Sequence, residues 1–262
     1  MKNYTTLLLC FFVFSLVNCQ ILKKPIPDKL VVLTFDDAPV SQHSIVAPLL
    51  KKHNFGATFF VCEFPTKSID RSAYMNWEQI SELNKMGFEI ANHTQTHISV
   101  GTASEATFIK ELNYIETKCL DFGIDKPTNF AYPAYSLSTS AMNTLKKRGY
   151  KFARAGGSRA YNPLTDQPHL IPSWATDANN KETIIDALKY AKNGSIVVLT
   201  IHGVPDIEHP WVDTPPELFE EYLNYLTKHN FKVIALRDLY DYIDLDVAMQ
   251  SIDPNLKKSL KN

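Results

Sequence analysis

The chain has 262 residues, of which 45% are hydrophobic and 21% are charged, with 9 Gly and 15 Pro. This composition is typical of a globular protein, and it excludes a disordered chain, a collagen-like repeat and a disulfide-rich miniprotein. Lys and Arg number 27 against 28 Asp and Glu, with no long run of either sign. The sequence therefore lacks the basic surface that nucleic-acid binding requires, and we expect no nucleic acid among its partners.

The N-terminal segment has the pattern of a secretion signal. Lys2 precedes an apolar run over residues 7–17 that is too short to span a bilayer. We predict a signal peptide over residues 1–19 and an exported protein, which is periplasmic, outer-membrane-anchored or extracellular. Cys19 follows a segment similar to a lipoprotein cleavage box, so lipidation of Cys19, with membrane attachment, and plain cleavage are both open.

Two cysteines remain beyond the signal, Cys62 and Cys119. Their spacing matches no thiolate metal motif. Export permits a disulfide between them, but Cys62 follows an apolar run and Cys119 lies in a helical pattern. We therefore expect two buried thiols.

Short apolar, β-branched runs alternate with helix-length segments along most of the chain, without a linker. This order predicts one α/β domain over residues 28–245 with a mostly parallel sheet, and a C-terminal tail over residues 246–262. Strands are predicted near Leu30–Phe35, Ala57–Val61, Phe88–Asn92, Thr128–Ala131, Lys151–Arg154, Ser195–Ile201 and Lys232–Ala235. Helices are predicted near His43–His53, Trp77–Met86, Ser104–Leu120, Ser138–Lys147, Lys181–Lys192, Pro216–His229 and Leu236–Ile243.

One type of joint recurs between the predicted helices and strands. Four helix ends are followed by Gly or Asn and then by an aromatic residue: His53-Asn54-Phe55, Met86-Gly87-Phe88, Arg148-Gly149-Tyr150 and His229-Asn230-Phe231. Gly and Asn tolerate the left-handed conformation that ends a helix, and the basic residue in three of the four suits the helix dipole. The repetition implies a recurring αβ unit whose strands all end at one face, where αβ barrels place their chemistry.

Reactive residue types follow three of the predicted strands. Asp36 and Asp37 follow the first strand, His93 and His97 the third, and His202 the sixth. Two imidazoles four residues apart share a face if the segment turns helically. Two histidines and one carboxylate form a compact site for a divalent metal with open positions. A simple turn at Asp37 and structural or surface histidines are the competing interpretations.

These segments resemble the motifs of the polysaccharide deacetylases, carbohydrate esterase family 4, which have a NodB-type domain. Residues 34–37 (TFDD) are similar to the first family motif, residues 93–97 (HTQTH) to the second and residues 199–202 (LTIH) to the last. The motifs occur in the family's order and cover most of residues 30–243. The resemblance implies a single-domain distorted (β/α) barrel of about seven parallel strands.

The resemblance also implies a metal held by Asp37, His93 and His97, with Asp36 as general base and His202 as general acid. Because this set contains no thiolate, Zn is the expected metal, with Co or Ni able to substitute. The implied activity is metal-dependent removal of N-acetyl groups from amino sugars of a cell-wall or extracellular polysaccharide or oligosaccharide. An O-acetyl polysaccharide esterase, a hydrolase of small cyclic amides and an inactive glycan-binding barrel are the alternatives.

The chain departs from the family at the third motif, residues 130–135. Ala131 occupies the position of an Arg that holds the base in many members. Arg154, at the end of the next predicted strand, is the candidate replacement, and Arg159 is the second choice. Ala134 occupies the position whose backbone N–H is the family's oxyanion donor, which an alanine supplies as well as an aromatic residue does.

The remaining candidates concern the substrate pocket. Trp174 lies in a loosely recognisable fourth motif and is a candidate wall for the acetyl group, with core packing as the alternative. Thr200 replaces the Leu that usually precedes the last His by two residues, so Leu199 or Ile201 is expected to line the pocket. Trp211 is a candidate platform for stacking a sugar. The other histidines are expected at surface or helix-end positions: His43, His53, His169 and His229.

Overall fold

The computed structural model describes residues 21–64 and 70–259, and the predicted signal and Cys19 lie outside them. Within the described residues the strands are β1 (Leu30–Asp36), β2 (Thr58–Val61), β3 (Glu89–Asn92), β4 (Asn129–Ala131), β5 (Phe152–Arg154), β6 (Trp174–Ala175), β7 (Val197–Ile201) and β8 (Lys232–Ile234). The α-helices are α1 (Ala47–His53), α2 (Trp77–Lys85), α3 (Glu105–Asp121), α4 (Thr139–Lys147), α5 (Lys181–Leu188), α6 (Pro216–Lys228), α7 (Leu245–Ser251) and α8 (Leu256–Ser259). None of the helices in this part of the chain combines the length and hydrophobicity needed to cross a bilayer.

The strands form one parallel sheet in the order β5-β4-β3-β2-β1-β7-β6. β8 pairs with residues 30–32 of β1, while β2 pairs with residues 34–36 of the same strand. The two edges of the curled sheet approach each other where Ile171, just before β6, forms a parallel bridge with Arg154 on β5. The result is the predicted distorted (β/α) barrel.

β1 shows how the sequence defines an inside and an outside. All seven of its residues are buried, which is typical of a parallel strand covered on both faces. Leu30 and Val32 pack in the cluster inside the barrel, whereas Leu33 and Phe35 pack in the cluster beneath the outer helices. Continuing this alternation turns Asp36 into the barrel interior.

The four predicted joints are confirmed. Asn54, Gly87, Gly149 and Asn230 all have positive φ. In each joint the N–H of the following aromatic residue bonds a Leu carbonyl five residues earlier: Phe55 to Leu50, Phe88 to Leu83, Tyr150 to Leu145 and Phe231 to Leu226. This is the hydrogen bond of the Schellman motif, which stops the helix and directs the chain into the next strand.

Four elements differ from the sequence predictions. The helix predicted near His43–His53 begins as a π-helix, Gln42–Val46, and becomes α-helical only at Ala47. β6 was not predicted, because two residues give no detectable period. Leu236–Asp241 is a 3₁₀-helix rather than an α-helix. The predicted tail contains α7, whose Ala248 is completely buried in the inner cluster.

Two further predictions concern single side chains. His169 was expected near the surface and this is wrong, because it is 1% exposed and its Nε2 bonds the Tyr150 carbonyl at 2.8 Å. Burial lowers the pKa of His169 to about 4, so the ring is neutral at neutral pH. Cys62 and Cys119 are buried free thiols, as expected.

Candidate active site

The site lies at the carboxyl ends of the strands. Thr34 of β1 pairs with Thr200 of β7, so Asp36 and His202 leave neighbouring strands at the same level. The side-chain amide of Gln42 donates to the backbone carbonyls of both Asp36 and His202, the second at 3.2 Å. The base and acid candidates are therefore held by strand register and by one buried amide.

The backbone turns immediately after Asp36, so the alternation of inward and outward side chains in β1 ends there. Asp37 has φ 70° and Ala38 has φ 59°, so the chain turns and the Asp37 carboxylate also reaches the site. Thr94 and His97 likewise have positive φ. This conformation costs roughly 1–2 kcal/mol for each non-glycine residue, and such strain is typical of functional sites.

The segment that carries the two histidines is not helical. The rings of His93 and His97 nevertheless converge edge to face, with centroids 4.9 Å apart. Glu111 on α3 fixes this loop by accepting a hydrogen bond from the Thr96 N–H at 2.7 Å. A hydrogen-bonded loop, rather than a helical turn, brings the imidazoles together.

Asp37, His93 and His97 have the geometry of a metal site. Asp37 Oδ1 lies 3.4 Å from His93 Nε2 and 3.5 Å from His97 Nε2, and one ligand atom from each residue lies within 4.8 Å of the others. Two ligands about 2.1 Å from a tetrahedral zinc are themselves about 3.4 Å apart. His93 Nδ1 lies 2.9 Å from the Ala131 carbonyl and donates a hydrogen bond to it, so Nε2 is the ring nitrogen that a metal would bind in place of the proton shared with Asp37. The donor set fits a divalent cation.

The charges at the site also favour a cation. Burial raises the pKa of Asp37, but the hydrogen bond from His93 and the charge of His202 outweigh it and hold that pKa well below its usual range. Burial and the neighbouring His93 lower the pKa of His97 to about 4, which keeps the ring neutral. Burial lowers the pKa of His93, but the charge of Asp36 and the hydrogen bond to Asp37 raise it overall. The negative charges of Asp36 and Asp37 also attract a metal ion, which competes with the proton on His93.

Arg154 makes the contact with the base candidate that the sequence analysis expects. Its Nη2 donates to Asp36 Oδ2, and the two residues are 0% and 3% exposed. Arg154 is the register partner of Ala131, so the guanidinium reaches the base from the adjacent strand. Asp36 Oδ1 is buried and has no hydrogen-bond partner among the described residues. Arg159, the second choice, bonds Asp166 instead.

A cavity of about 630 Å³ opens above these groups. Five carboxylate or imidazole groups line it: Asp36, Asp37, His93, His97 and His202. Ala134 and Trp211 also line it, as do Phe64, Tyr135 and His209. The cavity therefore combines the proposed chemistry with an aromatic entrance.

Two predicted substrate contacts need correction. Leu199 packs in the outer cluster, because the alternation of β7 turns Thr200 inward instead. Trp174 lines a separate cavity of about 500 Å³ and stacks against Tyr190 with centroids 6.2 Å apart. Neither side chain lines the cavity above the histidines.

The sequence analysis missed some polar groups behind the site. Gln42 and Ser173 were not considered, and Thr200 was treated only as a departure from the family pattern. All three are buried, Gln42 and Thr200 completely. The available signal was the position of Thr200, a polar residue facing inward from an apolar strand two residues before His202.

Comparisons with known proteins agree with this geometry. A family model described as polysaccharide deacetylase matches residues 23–153. The chain is 25% identical over 182 residues to a peptidoglycan-N-acetylglucosamine deacetylase of Bacillus cereus, covering 67% of this chain and 74% of that protein. It is 28% identical over 162 residues to a poly-beta-1,6-N-acetyl-D-glucosamine N-deacetylase of Staphylococcus aureus, covering 56% and 55%. A family 4 acetyl xylan esterase from Clostridium thermocellum shares the fold, with a TM-score of 0.59, 22% identity and coverage of 86% and 97%.

Proposed function

Because this chain belongs to the polysaccharide deacetylase family, we propose that it is a metal-dependent hydrolase that removes N-acetyl groups from amino sugars of a cell-wall or extracellular glycan. The observation that carries the proposal is the convergence of Asp36, the Asp37–His93–His97 triad and His202 on one cavity. These groups supply a base, a metal site and an acid for one substrate carbonyl.

The metal expected at Asp37, His93 and His97 is Zn, with Co or Ni able to substitute, because the three ligands are nitrogen and oxygen donors. When bound, it supplies a Lewis acid for the acetyl carbonyl and lowers the pKa of water. Neutral imidazoles and an ionised carboxylate are the ligand forms required, which the low pKa values of His97 and Asp37 favour.

The protein groups around the triad divide the proton transfers between them. Asp36 accepts the proton of the attacking water at Oδ1, because its Oδ2 is engaged by Arg154. His202 lines the same cavity and donates a proton to the departing amine nitrogen. The water oxygen bonds the acetyl carbon, the C–N bond breaks, and acetate and a free amino sugar result. The backbone N–H of Ala134 is the proposed donor to the developing oxyanion.

The names of relatives support the proposed substrate class. The names of two of them specify N-acetylglucosamine in peptidoglycan and in a β-1,6-linked polymer. The aromatic residues at the cavity entrance, including Trp211, suit the apolar face of a pyranose ring. Substrates of this kind lie outside the cytoplasm, which agrees with the proposed export of the chain.

The test is hydrolysis of defined acetylated glycans by purified protein loaded with Zn. We expect acetate and free amine to appear in equal amounts from N-acetylglucosamine oligomers, and Asp36→Asn to retain the metal without this activity. Acetate without amine, released from an O-acetylated xylan alone, would instead show an esterase. Binding of the oligomers without any acetate release would identify a glycan-binding barrel.

A further inference from the structure

The buried guanidinium of Arg154 has a second polar contact on the side away from the base. Its Nη1 lies 2.8 Å from Thr200 Oγ1 on β7. Thr200 Oγ1 in turn lies 2.8 Å from Ser173 Oγ, and Ser173 Oγ lies 2.7 Å from the Ala155 carbonyl. The four residues are each at most 1% exposed, so these contacts are shielded from bulk water.

The two ends of this series of hydrogen bonds, the Arg154 guanidinium and the Ala155 carbonyl, determine the direction of every bond in it. The Ala155 carbonyl only accepts, so it takes the single hydroxyl proton of Ser173. Ser173 must then accept from Thr200, which leaves the Thr200 oxygen to accept from Arg154. The chain therefore runs in one direction from the guanidinium to a backbone carbonyl, and the cation polarises each hydroxyl in the favourable sense.

Contacts on both sides define how Arg154 is oriented. Nη2 donates to Asp36, Nη1 donates to Thr200, and the guanidinium lies 5.5 Å from the ring of Phe60 and 5.4 Å from that of Tyr135. Two hydrogen bonds from a rigid planar group fix its rotation as well as its position. Arg154 Nε already has no hydrogen-bond partner among the described residues, so loss of the Thr200 hydroxyl would leave a second buried nitrogen of the cation unpaired, which is strongly unfavourable.

We propose that Thr200 and Ser173 are positioning residues, whose hydroxyl chain holds Arg154 in the orientation that presents Asp36 Oδ1 to the attacking water. This inference rests on the proposed function for its catalytic consequence. It also connects two departures of this sequence from the family pattern: an Arg supplied by β5 instead of position 131, and a Thr where a Leu is usual.

The decisive variant is Thr200→Val, which removes the hydroxyl and keeps the shape. We expect kcat on an N-acetylglucosamine oligomer to fall about 10-fold, with KM and metal content unchanged, and Thr200→Ser to restore most of kcat. Thr34→Val is the matched control, because Thr34 is the buried register partner of Thr200 but bonds the Leu199 carbonyl. The control should lower thermal stability without a comparable loss of kcat.

A double-mutant cycle separates positioning from a direct effect. In an Arg154→Ala background, Thr200→Val should cause no further loss of kcat, because the hydroxyl acts only through the guanidinium. An equal loss in both backgrounds, or an unchanged kcat in Thr200→Val alone, would overturn the proposal.

A second measurement does not depend on turnover. In ¹⁵N NMR spectra, the Arg154 side chain, assigned by its loss in Arg154→Ala, should show distinct and slowly exchanging Nη signals in the wild type and in Thr200→Ser. These signals should merge in Thr200→Val, and identical spectra in all three would refute the hydroxyl chain. If the wild type released no acetate, the proposed function would fail while this measurement still decided the inference.

Discussion

The floor and the rim of the cavity are built in different ways. The floor consists of Asp36, Asp37 and His93, which line the cavity, and of Arg154, which bonds Asp36 from behind. These four residues lie at strand ends or on the turns directly after them, and each is at most 5% exposed. The rim consists of aromatic rings on loops and a 3₁₀ turn: Phe64, Tyr135, His209 and Trp211. Trp211 is 71% exposed. The floor is connected by hydrogen bonds and ion pairs, whereas the rim is connected mainly by ring contacts.

This difference separates chemistry from recognition. Sheet register and paired charges hold the floor, so a small displacement there changes the alignment of reacting atoms. Phe64 lies 5.4 Å from the His97 ring and 5.7 Å from the His209 ring, and His209 lies 5.3 Å from the Trp211 ring. Ring contacts of this kind tolerate small shifts. We therefore expect substitutions in the floor to lower kcat and those in the rim to raise KM.

The largest effect is expected from the metal ligands. Elemental analysis of the wild type should show about one equivalent of metal per chain, and His93→Ala and His97→Ala should lose it together with measurable activity. His93 is 1% exposed, and the His97 side chain is 24% exposed. His93→Ala should therefore also lower the melting temperature of the apo-protein more than His97→Ala does. Full metal retention in both variants would remove the proposed site.

The next effect separates the two adjacent carboxylates. Asp36→Asn should retain the metal and lose on the order of 10²-fold or more in kcat, the usual contribution of a general base. Asp37→Asn should lose both metal and activity. The measurements are metal content and initial rates on the same preparations. Equal metal loss in the two variants would show that the carboxylates do not have separate roles.

A smaller effect is expected at Arg154. Arg154→Ala should retain the metal and lower kcat roughly 10- to 100-fold, because a charge-assisted hydrogen bond to the base is lost. Arg154→Lys is the control that keeps the charge without the planar fork. A kcat for Arg154→Ala equal to that of the wild type would exclude this role.

The smallest effect is expected at the rim. Trp211→Ala should raise KM for a glycan oligomer roughly 2- to 10-fold, as loss of one stacking contact implies, and leave kcat and metal content unchanged. Trp211→Phe is the matched control that retains an aromatic face. A fall in kcat comparable to that of Arg154→Ala would break the distinction between floor and rim.

Much of the floor was predictable because it follows local rules. The alternation of short apolar runs with helix-length segments, and the four joints of Gly or Asn followed by an aromatic residue, predicted parallel strands ending at one face. The order of the motifs then indicated Asp36, Asp37, His93 and His97. The pocket wall was less predictable. Trp174 was assigned to it but lies on β6, which is too short to leave a pattern in the sequence. Leu199 was also assigned to it, but the alternation of β7 turns Thr200 inward instead.

The sequence by itself determined which strands form, where they end and which reactive residue types follow them, because hydrophobic period and helix-ending residues act over a few positions. Only the tertiary structure decided that Asp37 turns back beside Asp36 and that the arginine of β5 lies at the base while position 131 stays small. It also decided that hydroxyls from β7 and from the residue before β6 reach that arginine. The hydrogen bonds that connect Asp36, Arg154, Thr200, Ser173 and Ala155 join residues that are 18 to 118 positions apart. Their partners are chosen by barrel closure and register, which no local pattern encodes.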